Sequence, residues 1–219
     1  MASRPDTPAA DRTGTADPSA ELASLVERTS GLQPGRRLFH AFNGSVVALA
    51  LTWLDMARPT VLWILGGILA ALVVLDVVRL TVPAANALFF RSFQHLASPR
   101  EAAGPASSTW YTLGLLLTVA LFPRDAAVTG VLFLAWADPA ASYLGRRFGK
   151  RPFLGGSLEG TLVFTAVAAA VAVFRHGALV GAVAAVGGAF AERRSWPLDD
   201  NLTVPVVGAG LVTLLEALL

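Results

Sequence analysis

Residues 60–80 read TVLWILGGILAALVVLDVVRL. Only Asp76 and Arg79, near its end, carry charge, and the run is as long as the ~20 residues a helix needs to cross a bilayer's hydrocarbon core. It is apolar on every face, as a membrane span is and a surface helix is not. Working outward, the chain from Leu38 onward breaks into seven apolar runs separated by short polar loops: 39–55, 60–80, 109–123, 126–144, 158–174, 177–191 and 202–219. Several fall short of full span length, especially the first and sixth. Between the second and third, Ala84–Ser98 sets Phe89, Phe90, Phe93 and Leu96 beside Arg91, Gln94 and His95, the pattern of an interfacial amphipathic helix rather than a span.

Composition agrees with that reading. Of the 219 residues, 54% are hydrophobic and 15% charged, where soluble domains carry about 25% charged residues. This balance excludes a disordered chain, a coiled coil and a nucleic-acid-binding domain, and leaves an all-α, polytopic membrane bundle. The chain has no Cys, hence no disulfide, no thiolate metal site and no Cys nucleophile. The first ~20 residues, rich in Ala, Pro, Thr, Asp and Arg, read as a flexible tail without the apolar core of a signal peptide. Ser19–Arg28 then spaces Leu22, Leu25 and Val26 as a short amphipathic helix does. The expected division is a tail over 1–35 and an integral membrane domain over 36–219.

Charge tests the span count. With seven spans, 14 of the 17 Lys and Arg fall on the side of the N-terminus, and Arg58, Arg124 and Arg175 alone fall on the other. That asymmetry is the positive-inside rule with a cytoplasmic N-terminus.

Charged groups inside apolar runs require a partner or a function. Asp76 and Arg79 share a helical face and read either as a structural ion pair or as part of a site. Asp138 has no cation in its own run, and Pro139 behind it loosens the helix. It reads either as a partner for an Arg on another helix or as a carboxylate of a metal or phosphate site. The stretch that follows holds Gly145, Arg146, Arg147, Gly149, Lys150 and Arg151, then Gly155, Gly156, Ser157, Glu159, Gly160 and Thr161. Glycines let backbone N–H groups turn toward an anion, the cations neutralise it, and Ser157 caps the next helix, whose N-terminus favours phosphate. As composition alone, the same loop is a topology signal that attracts anionic lipid. The Gly-Lys-Ser/Thr ending of a Walker A loop is missing.

Two further clusters face the same side. Arg36, Arg37, His40 and Asn43 stand at the mouth of the first run, as a basic flank or as phosphate and headgroup contacts. Asp199, Asp200 and Asn201 open the last run, as a helix cap or as hard oxygen ligands for Mg²⁺ held with a substrate phosphate. Glu101, before the third run, joins this set. His95 and His176 read as surface or interfacial residues.

In this order the residues resemble the CTP-dependent lipid-alcohol kinases: dolichol kinase, phytol kinase and the CTP-using diacylglycerol kinase, with their bacterial relatives. The likeness lies in Arg36-Arg37-x-x-His40, in Asp76-Val-Val-Arg79, in Asp138 through Gly145 and Gly149-Lys150 into Ser157-Leu-Glu159-Gly160-Thr161, and in Asp200-Asn201-Leu-Thr-Val-Pro205. The segment from Glu101 through Ser107 to Gly114 also fits, and together the motifs cover about residues 33–210. The family commonly has Lys just before the Ser or Thr of the Ser-x-Glu-Gly block, where this chain has Gly156. That leaves the phosphate contact to Lys150, Arg146, Arg147 or Arg151.

The resemblance implies transfer of the γ-phosphoryl of CTP to the hydroxyl of a membrane lipid such as a polyprenol, diacylglycerol or a phytol-like alcohol, at the cytoplasmic face of a bacterial inner membrane. It implies Asp138, Glu159 and Asp200 as carboxylates for a divalent cation or for proton acceptance. Arg146, Arg147, Gly149, Lys150, Gly155, Gly156, Ser157, Gly160, Thr161 and Asn201 would hold the nucleotide. Arg37, His40, Asn43, Asp76, Arg79 and Glu101 would contact lipid or phosphate. A cytidylyltransferase, an ATP-dependent lipid kinase and a non-enzymatic lipid transporter or scaffold are the competing readings.

Overall fold

All seven apolar runs form helices in the computed structural model, which describes residues 18–194 and 198–219. The first 17 residues of the expected tail therefore lie outside the described residues. The chain runs α1 (Pro18–Arg28), α2 (Pro34–Thr52), α3 (Arg58–Thr81), α4 (Pro83–Ser92), α5 (Ser107–Leu121), α6 (Arg124–Leu132), α7 (Asp138–Phe148), α8 (Leu158–His176), α9 (Ala178–Arg193) and α10 (Asp200–Leu218). Proline stands in the first turn of α2, α3 and α4, where its missing N–H costs nothing. A short 3₁₀ turn, Pro99–Ala102, precedes α5.

Among the described residues, four helical stretches are long and apolar enough to cross a membrane: Arg58–Thr81, Arg124–Phe148, Leu158–His176 and Asp200–Leu218. The protein is an all-α integral membrane bundle. The other three expected spans are the helices α2, α5 and α9; α5 and α9 are 15 and 16 residues long, and α2 opens with Arg36 and Arg37.

The Arg124–Phe148 rod is the hub. Val131, Phe133, Leu134, Ala135, Ala137 and Ala141 have no exposure, while α3 turns most of its apolar surface outward. Phe133 meets Phe164 edge to face at 6.2 Å, and Gly188 of α9 and Gly208 of α10 leave it room. At Gly130 the α10 backbone comes so close that any Cβ would strike the Pro205 carbonyl. Small residues thus set helix separation here, as is usual between helices in lipid.

The rod is not a uniform α-helix. Phe133–Ala137 form one π turn, and the Asp138 N–H reaches back to the Phe133 carbonyl. The loosening expected from Pro139 is a local widening directly before Asp138, a device frequent at functional sites.

The expected interfacial helix is shorter and more buried than its pattern implies. It ends at Ser92, and Phe90 is fully buried in a small cluster with Leu25 of α1 and Ala97. His176 also departs from a surface reading. Its ring is enclosed, bonding Thr129 Oγ1 and Glu216 Oε1, each at 2.7 Å. Together with Arg175, which bonds Thr129 and Asp125, it ties α6, α8 and α10 together.

Candidate active site

The Gly-rich basic stretch folds as a small hairpin, β1 (Pro152–Phe153) antiparallel to β2 (Gly156–Ser157). Its turn residues, Leu154 and Gly155, have φ of 46° and 82°, the left-handed pair a two-residue hairpin needs. The hairpin delivers Ser157 as the cap of α8, where its Oγ accepts from the Gly160 N–H at 3.1 Å. Asp199 caps α10 in the same way, accepting from the Asn201 N–H at 3.0 Å and from Asn201 Nδ2 at 2.6 Å. Asp200 is thereby set at the first position of α10.

These ends converge on a cavity of about 660 Å³. Asp138, Ser142, Gly145 and Arg146 of α7 form one wall, and Leu154–Ser157 a second. Glu192 and Arg193 from the end of α9, Asp200, Arg36, Ser98 and Arg100 complete it. A smaller cavity of about 70 Å³, lined by Arg37, His40, Pro139 and Asn201, shares Asp138, Asp200, Arg36, Arg100 and Arg146 with the first. Asp138 and Asp200, 62 positions apart in the chain, thus face the same space. Asp200 lies in the electrostatic field of Asp138 and of Arg100, and Asp138 in that of Glu192, Arg36 and Arg37.

The cations are only partly committed to the protein. Arg37 donates from Nε and Nη2 to Ser142 Oγ at 3.1 and 2.9 Å, while its buried Nη1 has no partner among the described residues. Arg146 donates to the Gly31 carbonyl at 2.7 Å. Arg193 is nearly enclosed, with Nε 2.6 Å from Glu192 Oε2. Its guanidinium fills the space beside Gly156, where a Cβ would overlap Nη1. Carboxylates for a cation and cations for an anion therefore share one cavity, the composition a metal-bound polyphosphate requires.

Of the residues singled out by sequence, the structure brings together Asp138, Asp200, Arg146, Gly155, Gly156 and Ser157, with Arg37, His40 and Asn201 in the adjoining cavity. His40 packs against Tyr111 with ring centroids 4.5 Å apart. Glu159 lies apart from this group. Its Oε2 accepts from the backbone N–H groups of Lys150 and Arg151 at 3.1 and 3.3 Å, and it does not line the cavity. The expected three-carboxylate metal set is not assembled: among the described residues, no group of three His, Cys, Asp or Glu is placed to hold a metal.

The other nucleotide candidates in this stretch do not line the cavity. Arg147 lies against Phe148, Lys150 is exposed, Gly149 packs on the Gly145 carbonyl and Ser157, and Thr161 donates to the Ser157 carbonyl. Gly160 lies under Arg193. Asn43 donates to its own helix at the Phe39 carbonyl. Asp76 and Arg79 form a buried ion pair at 2.7 Å. Asp76 also accepts from Thr109 Oγ1 and the Ala106 N–H, and Arg79 donates to the Glu101 and Gly104 carbonyls. Glu101 accepts from Ser107 Oγ at 2.7 Å. Sequence reasoning had not singled out Ser98, Arg100, Glu192 or Arg193 as site residues. In the sequence, Glu192-Arg193 reads as an ordinary basic flank at a helix end.

Fold and cavity together define an integral membrane protein whose helical bundle carries one cavity lined by both carboxylates and arginines. The chain belongs to the family of CTP-dependent lipid kinases. It is 34% identical over 164 residues to the CTP-dependent diacylglycerol kinase 1 of Schizosaccharomyces pombe, covering 64% of this chain and 74% of that one. It is 32% identical over 114 residues to the protein of that name from Saccharomyces cerevisiae, covering 52% of this chain. Identity to the Eremothecium gossypii protein of that name is 32% over 136 residues, covering 58% of this chain. The match takes in 39% and 42% of these last two relatives' lengths. No family model matches the chain, and no solved structure matches it.

Proposed function

We propose that this protein transfers the γ-phosphoryl group of CTP to the hydroxyl of a membrane lipid alcohol, with diacylglycerol as the acceptor. The observation that carries this reading is the convergence of Asp138 and Asp200 with Arg36, Arg146 and Arg193 around one cavity. The relatives' names supply the donor and the acceptor. On this reading the cavity opens to the cytoplasm, in a bacterial inner membrane, where a water-soluble nucleotide meets a hydroxyl at headgroup level.

The triphosphate sits between the hairpin and the end of α9. Arg193, Arg146 and the Gly155-Gly156 backbone neutralise and orient it, and the unpartnered Arg37 Nη1 reaches it from below. Asp138 and Asp200, two hard oxygen donors in one space, fit a Mg²⁺ held jointly with the triphosphate, which when bound spreads the charge of the transferred phosphoryl. The lipid oxygen attacks the γ-phosphorus, the bond from that phosphorus to its bridging oxygen breaks, and CDP leaves. The hydroxyl proton passes to Asp138 or Asp200, the two carboxylates that line the cavity. Little covalent work falls to the protein; positioning and charge neutralisation are the catalysis.

The test uses purified protein in detergent with Mg²⁺, dioleoylglycerol and CTP labelled at either the γ- or the α-phosphate. The expected result is lipid label from γ-labelled CTP alone. Label from α-labelled CTP would replace the reading with nucleotidyl transfer.

A further inference from the structure

We propose that the apolar groove between α3 and α4 holds an acyl chain of the diacylglycerol acceptor, an inference that rests on the lipid-kinase reading above. The groove encloses about 530 Å³, within the roughly 300–1,000 Å³ of small-molecule sites. Leu72, Leu75 and Val78 line one side, and Leu88, Phe89 and Phe93 the other.

Its occupant follows from how it joins the polar cavity. Arg36 lines both spaces. The segment from Leu96 to Glu101 is the partition between them. Leu96, Ala97 and Glu101 line the groove, while Ser98 and Arg100 line the polar cavity. A ligand filling both is therefore apolar at one end and polar at the other, with the change of character at Arg36. A lipid whose chain lies along α3 presents its hydroxyl past Arg36 toward Asp138 and Asp200.

The groove's polar floor favours hydrocarbon above it. Asp76 is taken up by Arg79, Thr109 and the Ala106 N–H, and Glu101 by Ser107. With these groups hydrogen-bonded internally, a methylene chain laid over them strands none of these bonded groups. Leu75, Val78, Leu88 and Phe93 are also exposed on the outer surface of the bundle. The groove is thus open sideways, along the route by which a lipid arrives within a bilayer.

The experiment is photolabelling of the full chain in lipid nanodiscs with a diacylglycerol bearing a diazirine in its acyl chain. The expected result is label within residues 72–93, reduced about tenfold by excess dioleoylglycerol and not by dioleoylphosphatidylcholine. Leu88→Trp, which fills the groove from its exposed side, is expected to lower that label and to raise the KM for dioleoylglycerol on the order of tenfold, with the KM for CTP unchanged. Trp63→Ala, at the far end of α3, is expected to change neither. Label competed equally by phosphatidylcholine would show ordinary bilayer lipid only and overturn the proposal. Transfer from CTP with an unaltered acceptor KM in Leu88→Trp would overturn it as well. Specific label without any transfer would keep the groove as a diacylglycerol site and reject the kinase reading instead.

Discussion

The guanidinium of Arg193 occupies the space that any side chain at Gly156 would need. The two residues lie on different elements, one at the end of α9 and the other in β2, and both face the cavity that holds Asp138 and Asp200. Where the family resemblance leads to the expectation of a lysine, this chain has a cation of the same sign arriving from another helix.

Arg193→Ala is accordingly expected to raise the KM for CTP. A hydrogen bond to a charged group contributes about 1.5–3 kcal/mol, which corresponds to roughly tenfold to a hundredfold. Gly156→Lys in the Arg193→Ala background has the vacated space and is expected to recover much of the loss. In the wild-type background the same lysine meets Arg193 and is expected to weaken CTP binding. Steady-state kinetics with CTP varied measures all three.

Asp138→Asn and Asp200→Asn are each expected to lower kcat by two or more orders of magnitude, with helical content and detergent-solution size unchanged. Glu159→Gln is expected to cost less than tenfold. Its carboxylate holds the Lys150 and Arg151 N–H groups, and a glutamine oxygen can still accept from them. A loss with Glu159→Gln as large as with Asp138→Asn would return that carboxylate to the chemistry.

The Asp76–Arg79 pair predicts a stability effect. Both side chains are buried, and removing one partner of a buried pair typically costs about 3–5 kcal/mol. Arg79→Met is expected to lower the Tm in detergent and the yield of folded protein. The Asp76 and Arg79 groups also brace the turn before α5, so protease sensitivity should rise between Pro99 and Ala106.

Glu101 predicts a pH effect. Burial pushes its carboxyl above the ordinary value, against the opposing hydrogen bond from Ser107. A carboxyl raised in the fold contributes stability below its unfolded value, about pH 4, and loses it as pH rises through the folded value. Glu101→Gln keeps an acceptor for Ser107 and removes the buried charge. The variant is expected to be more stable than wild type at neutral pH, with the difference shrinking as the pH falls toward about 4. Thermal unfolding across that range checks the sign.

The sequence by itself determined what depends on neighbours in the chain. Hydropathy marked the seven apolar runs that fold as helices, because an apolar run in lipid must satisfy its backbone internally. The Asp138-Pro139 step marked a distorted helix, the three-residue spacing of Asp76 and Arg79 marked their pairing, and Ser157 marked the cap of α8. Asp138 and Asp200 stood out as carboxylates that an apolar setting does not tolerate without a reason.

Only the tertiary structure decided which charges meet. Glu159 is as acidic and as close to the glycines as the motif promised, but the hairpin turns its carboxylate onto the backbone of Lys150 and Arg151. Glu192, Arg193, Ser98 and Arg100 resemble ordinary loop charges and polar flanks until α9 and the segment before α5 bring them to the cavity. His176 resembles a helix-end residue until α6 and α10 close over it. The physical reason is range. Hydrophobic pattern, capping and same-face pairing act within a few residues, whereas a charge's partner across the bundle is set by how closely the helices pack, here through contacts such as Gly130 with Pro205 and Gly156 with Arg193.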